Sequence, residues 1–145
     1  MIQLMKVFLP ENVGEIVQKV VDTGFVTEGE FSDEFEKKFG EYIDNPNVRL
    51  VNSCTSAITL AAHMCDIKPG DEVITTAMTC MATNEPFYNM GAKLIFADID
   101  PETGNIDVAD IERKITNKTK AIMMVHWAGQ PCAIDEINTL AKKHN

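Results

Sequence analysis

Near the start of the chain, apolar residues recur with a helical rhythm. Val13, Ile16, Val17, Val20 and Val21 share one face of a helix predicted over residues 10–23, and Gly24 ends the pattern. After the loop Phe25 to Glu30, the residues Phe31, Phe35, Phe39 and Ile43 return every four positions. Ser32 is the expected cap of this second helix, Asp33 and Glu34 suit its positive end, and its aromatic stripe is expected to be buried.

From Val48 onward the rhythm changes. Four short apolar runs, Arg49-Leu50-Val51, Glu72-Val73-Ile74, 93–97 and 120–125, alternate with helical stretches. That alternation predicts an α/β fold, a parallel sheet with flanking helices built from βαβ crossovers. The runs at 94–97 and 121–125 lack polar alternation, so both strands are expected to be buried on both faces. Residues 57–67 are apolar nearly all round and read as a buried helix. Asp107, followed by Asp110, Ile111 and Ile115, predicts a capped surface helix, and a last helix runs from Ile134 into Lys142-Lys143-His144-Asn145. Residues 1–47 are thus read as amino-terminal helices and 48–145 as βα units, with no repeat or flexible linker between them. A further strand is expected beyond the last helix, and an open sheet edge there is an association liability.

With 145 residues, 45% hydrophobic and 24% charged, the composition is that of an ordinary globular domain and disorder is not expected. The net charge of -9 repels phosphate backbones and anionic membranes, so neither nucleic acid nor a membrane is an expected partner. No apolar run approaches a membrane span and no signal-peptide pattern opens the chain, which makes a cytoplasmic location the expectation. Cys54, Cys65, Cys80 and Cys132 lie far apart, with no C-x-x-C pair and no histidine at zinc spacing. Reduced thiols are expected there, and no metal site.

Ligands of parallel α/β sheets gather at the carboxyl ends of the strands. That places 52–56, 75–80, 98–101 and 126–131 on one edge. Ser53-Cys54-Thr55-Ser56 offers backbone N–H groups at a helix start, hydroxyl donors and a helix dipole, which suits an anion. Thr55 or Ser56 acting as a simple helix cap is the alternative, and on the residues alone both stand. No G-x-G-x-x-G or G-x-x-x-x-G-K-[ST] pattern is present. His126 either faces a ligand or, as is commoner, packs as a hydrogen-bonded structural residue. Asp98 and Asp100 have the look of paired catalytic carboxylates, but the run Asp-x-Asp-Pro-x-Thr-Gly is better explained as turn chemistry closed by Gly104. A thiol-dependent activity at Cys54 or Cys80, near helix starts, also stays open.

Several short segments, each weak alone, form a specific set in their order and spacing. They are Glu34-Phe35-Glu36, Asn52-Ser53-Cys54-Thr55-Ser56-Ala57, Gly70-Asp71-Glu72-Val73-Ile74, Thr79-Cys80-Met81-Ala82-Thr83, Gly91-Ala92, Phe96-Ala97-Asp98-Ile99-Asp100, Thr119-Lys120-Ala121-Ile122 and Val125-His126-Trp127-Ala128-Gly129-Gln130-Pro131. From about Phe25 to its end the chain resembles the DegT/StrS-type nucleotide-sugar aminotransferases of pyridoxal-phosphate (PLP) fold type I. The resemblance implies the first part of the large domain of the aspartate-aminotransferase-like fold. It also implies PLP as cofactor, a nucleotide-linked keto-sugar and an amino-acid donor, glutamate, as substrates, and a role in polysaccharide or amino-sugar biosynthesis. By the same resemblance Thr55 and Ser56 bind the PLP phosphate through side-chain hydroxyl and backbone N–H. Cys80 occupies the position where the family usually stacks an aromatic ring on the pyridine, and a thiol makes a smaller, polarizable contact there.

The family's chemistry also uses a carboxylate against the pyridine nitrogen and a Schiff-base lysine. By resemblance both lie beyond Asn145, and none of the lysines present aligns with that lysine. The expectation is therefore an amino-terminal portion without transaminase activity of its own. It is to be completed by a carboxy-terminal fragment, or in a homodimer whose partner's substrate the first helix and the Phe25-Val26-Thr27-Glu28-Gly29 loop approach. The alternative is a non-catalytic remnant that binds a phosphate ligand or a partner.

Overall fold

The computed structural model describes residues 6–144; Asn145, expected at the end of the last helix, lies outside them. The chain divides into two compact units that meet between Leu50 and Val51.

The first unit holds helices α1 (Val13–Asp22) and α2 (Glu30–Tyr42). Helix α1 stops as its periodicity predicts, with Gly24 in the left-handed region at φ 74°. Helix α2 begins earlier than expected. Gly29 holds the N-cap position, and the Ser32 N–H donates to the Gly29 carbonyl at 2.9 Å, so Ser32 sits inside the first turn rather than capping it. The aromatic stripe is not buried either: Phe35 and Phe39 are 48% and 41% exposed. Their rings stack on each other one turn apart, with centroids 5.6 Å apart, and so shield one another along the helix. Arg49-Leu50-Val51 forms no strand. A strand exists only through a ladder, and here the Leu50 N–H donates to Glu36 Oε1 at 2.8 Å while Arg49 pairs with the same carboxylate.

The second unit contains a parallel sheet of β1 (Glu72–Thr76), β2 (Lys93–Ala97) and β3 (Thr119–Ile122) in the order β2-β1-β3. Val73 lies opposite Leu94 and Ala121, and Ile74 opposite Ile95 and Ile122, with a bulge between Glu72 and Val73 on the β3 side. All five residues of β1 are buried. By contrast, β2 and β3 are edges of this sheet and only partly covered, contrary to the expectation that their apolar runs mark doubly buried strands. Having two neighbours, not being apolar throughout, is what encloses β1, whose buried residues include Glu72, Thr75 and Thr76.

Period-two alternation sends β1 side chains into two cores. On one face Val73, Leu94, Ala121 and Met123 pack with Ile58 and Ala62 of α3 (Cys54–Met64) and Phe87 of α4 (Met81–Asn89). On the other, Ile74, Ile95, Ile122 and Met124 meet Ile111 of α5 (Val108–Lys114) and Ile137 and Leu140 of α6 (Ile134–His144). Asp107 caps α5 as predicted, accepting the Ala109 N–H at 2.9 Å. Helix α3 turns only one face inward: Ala62 is buried while Leu60 and Met64 are 50% and 80% exposed, so its all-round apolarity does not make it a buried helix. Among the described residues no helix is long and apolar enough to cross a membrane.

The topology has a reversal. From β1 the chain crosses one face through α4 to reach β2, then crosses the other face through α5 to reach β3 on the far side of β1. The loops leaving β1 and β3 therefore diverge to opposite faces, and the carboxyl ends of such a strand pair are the usual ligand position in sheets of this kind.

Candidate functional site

Helix α3 leads into the amino end of β1 and packs beside α4, which leaves the carboxyl end of β1. Both helices run antiparallel to the strands, so their amino ends, bearing Thr55, Ser56 and Cys80, lie toward the carboxyl edge.

Extended Ser53, not Thr55 or Ser56, caps α3: its Oγ accepts the Ser56 N–H at 3.1 Å. The Ser53 hydroxyl donates to Ser56 Oγ at 3.0 Å, and the Ser56 hydroxyl to Asn52 Oδ1 at 2.7 Å. The cap leaves donors over. Among the described residues the N–H groups of Cys54 and Thr55 have no acceptor, and the half-buried Thr55 hydroxyl has no partner. Two open amides, a threonine hydroxyl and the positive end of an 11-residue helix suit a phosphate monoester.

Cys80 is the N-cap residue of α4, extended and exposed, with a thiol that caps nothing. Cys80 is thus not a small residue buried within the helix. Its position is set from the core: the Thr75 hydroxyl donates to Asn84 Oδ1 at 2.6 Å, and Asn84 Nδ2 donates to the Thr76 carbonyl at 3.1 Å, tying α4 to β1. Cys54 is exposed too, and among the described residues neither thiol is hydrogen-bonded to a base. That arrangement lends no support to thiol chemistry.

After β2, the two aspartates make turns. Asp98 Oδ1 accepts the Ile99 N–H and Asp100 Oδ1 the Glu102 N–H, at 2.9 and 2.7 Å. Gly104, at φ 71°, donates its N–H to the Asp100 carbonyl and closes the loop as expected. After β3, His126 Nδ1 accepts the Cys132 N–H at 3.1 Å, the structural reading of this histidine. Cys132 is buried; its thiol donates to the Val125 carbonyl, and burial pushes its pKa up.

One residue escaped the sequence reading. Asn105 is 4% exposed and lies between the loops that follow β2 and β3. Its Oδ1 accepts the Trp127 N–H at 2.9 Å, and its Nδ2 donates to the carbonyls of Gln130 and Pro131 at 3.1 and 3.0 Å. A single asparagine between Gly104 and Ile106 belongs to no periodic pattern, and no local signal marks it.

Known proteins share this architecture. A model of the DegT/DnrJ/EryC1/StrS aminotransferase family matches residues 9–145. The spore coat polysaccharide biosynthesis protein SpsC of Bacillus subtilis is 38% identical over 151 residues, covering 99% of this chain and 39% of SpsC. The solved sugar aminotransferase CalS13 from Micromonospora echinospora superposes with a TM-score of 0.91 at 34% identity, over 99% of this chain and 39% of its own. A GDP-4-keto-6-deoxymannose-3-dehydratase, solved with a trapped PLP-glutamate geminal diamine, gives a TM-score of 0.87 at 29% identity, over 95% of this chain and 37% of that one. The chain thus spans about two fifths of the length of these proteins. Matched from residue 9 onward and sharing the three-layer core, the chain belongs to the DegT/DnrJ/EryC1/StrS aminotransferase family.

Proposed function

We propose that this chain forms the phosphate-holding, amino-terminal part of a PLP-dependent aminotransferase that acts on a nucleotide-linked keto-sugar with glutamate as donor. The observation that carries the proposal is the open pair of amides beside the Thr55 hydroxyl at the amino end of α3, toward the carboxyl edge of the sheet. The names of similar proteins support its finer parts: a sugar aminotransferase, a polysaccharide biosynthesis protein, and an enzyme of a GDP-linked keto-sugar holding PLP with glutamate.

In this reading Thr55 holds the phosphate through its hydroxyl and N–H. Ser56 contributes its hydroxyl, and its own N–H only when the Ser53 hydroxyl that now accepts it turns away. Cys80 lies beside the ring, offering a smaller contact than an aromatic side chain. PLP supplies an electron sink for amino transfer when bound. The carboxylate and lysine of the family's chemistry are to be contributed by the remaining part of the enzyme, within a dimer.

Two measurements test this. Pyridoxamine 5′-phosphate, which has no aldehyde to react with surface lysines, is titrated into the wild type and into Thr55→Ala/Ser56→Pro. Proline removes the Ser56 donor yet is tolerated in a first helical turn. At least a tenfold loss of affinity is expected, and unchanged affinity sinks the phosphate assignment. Co-expression with the carboxy-terminal part of a relative is expected to yield glutamate-dependent amination of a nucleotide keto-sugar that neither part gives alone. Activity of the 145-residue chain by itself would refute the division of labour.

A further inference from the structure

The two segments that follow the carboxyl ends of β1 and β3, between which the proposed ligand site lies, are held in different ways. One is the amino end of α4, tied to β1 through Asn84. The other is the segment 126–131, which is exposed, contains one short 3-10 turn at Trp127–Gly129, and holds Ala128 at φ 50°. The bonds within it, from the Gly129 N–H to the His126 carbonyl and from the Gln130 N–H to the Trp127 carbonyl, close its turn; bonds that fix it to the neighbouring loop come from outside it.

Asn105 supplies them. Every hydrogen-bonding group of its side chain is spent on that segment: one acceptor on the Trp127 N–H and two donors on the Gln130 and Pro131 carbonyls. Asn105 is itself rooted, since its carbonyl accepts the Asp100 N–H at 2.8 Å and the neighbouring Ile106 pairs with Ile99. A second contact acts in the same place. The Trp127 ring lies over Gly104 so closely that a Cβ there would sit 2.9 Å from Trp127 Cδ1, and Gly104 takes a φ of +71° that a side chain disfavours. Next to the clipped segment, His126 accepts the Cys132 N–H on Nδ1, so in the neutral ring Nε2 carries the proton as a donor.

We propose that Asn105 is a positioning residue for the ligand site: by clipping Trp127, Gln130 and Pro131 to the loop after β2, it fixes the segment after β3, with His126 in it, against which the cofactor is seated. The inference rests on the reading that a pyridoxal-type phosphate occupies this site. It adds the residue that shapes the segment after β3, some distance along the chain from the phosphate cradle.

The test uses the full chain and its single tryptophan, Trp127, as a built-in reporter. Asn105→Ala, Asn105→Asp and Gly104→Ala are compared with wild type by tryptophan emission, far-UV circular dichroism and titration with pyridoxamine 5′-phosphate, well below the unfolding temperature. The expected result is a folded Asn105→Ala with red-shifted emission and a Kd raised at least tenfold. Asn105→Asp, which keeps the acceptor but loses both donors, is expected to fall between it and wild type. A folded Asn105→Ala that binds within twofold of wild type overturns the inference and leaves the phosphate cradle standing. Should Asn105→Ala fail to fold, Asn105→Asp, which removes both donors to the Gln130 and Pro131 carbonyls, decides by the same two criteria, with Gly104→Ala reporting the ring contact separately. A wild type that does not bind the probe at millimolar concentration removes the functional reading, and this inference with it.

Discussion

Asp110, on α5, is 6% exposed, and its carboxylate accepts from Lys114 Nζ at 2.6 Å, the Asp98 N–H at 2.6 Å and Arg113 at 3.0 Å. The hydrogen bond from Lys114 and then that from the Asp98 backbone outweigh desolvation and bring its pKa down to about 2. A carboxylate held below its unfolded value stabilises the fold fully above about pH 4, and that contribution is lost as pH falls toward 2. Asp110→Asn is therefore expected to lower unfolding free energy at pH 7 by roughly 2 kcal/mol or less, because both cations reach solvent. The difference from wild type should shrink in urea titrations at pH 2; an equal difference at both pH values would contradict the assignment. Local chemistry of this kind is legible in a sequence. Asp107 as a cap and the Asp98 to Gly104 turn depend on bonds a few residues long, whereas Asn105 acquires its meaning from partners on another loop.

At the level of elements, β2 was recognisable residue for residue, yet which strand is enclosed was not. Enclosure follows from the order β2-β1-β3, and order depends on crossovers that a run of valines and isoleucines does not encode. Arg49-Leu50-Val51 has strand composition but spends its Leu50 N–H on Glu36. The phenylalanine stripe of α2 has core composition but is only half covered. These differences carry opposite consequences for substitution. Phe39→Ser is expected to cost on the order of 1 kcal/mol, the value of a stacked aromatic pair. Phe87→Ala, at a residue 5% exposed inside the core shared by α3, α4 and the sheet, is expected to cost roughly 3–5 kcal/mol. Chemical denaturation of the two variants separates them, and equal losses would mean that the α2 stripe is sealed in solution.

Taken whole, the buried hydrophobic residues described, Ala62 through Leu140, fall in the unit that begins at Val51, and both cores lie within it. A polypeptide of residues 51–145 is accordingly expected to keep a cooperative urea transition and its helical far-UV signal. A broad, non-cooperative loss would show that α1 and α2 are needed to hold the sheet. The sheet's arrangement also sets a timetable. Its middle strand is the first of the three to leave the ribosome, and both of its partners come later in the chain. At roughly 5–20 residues per second, β1 waits about 2–10 s for β3 to be made. During that interval Val73 and Ile74, later wholly enclosed, are open to any passing strand. Chaperone occupancy on nascent chains is thus expected to begin once β1 emerges and to fall only after Ile122 has cleared the exit tunnel.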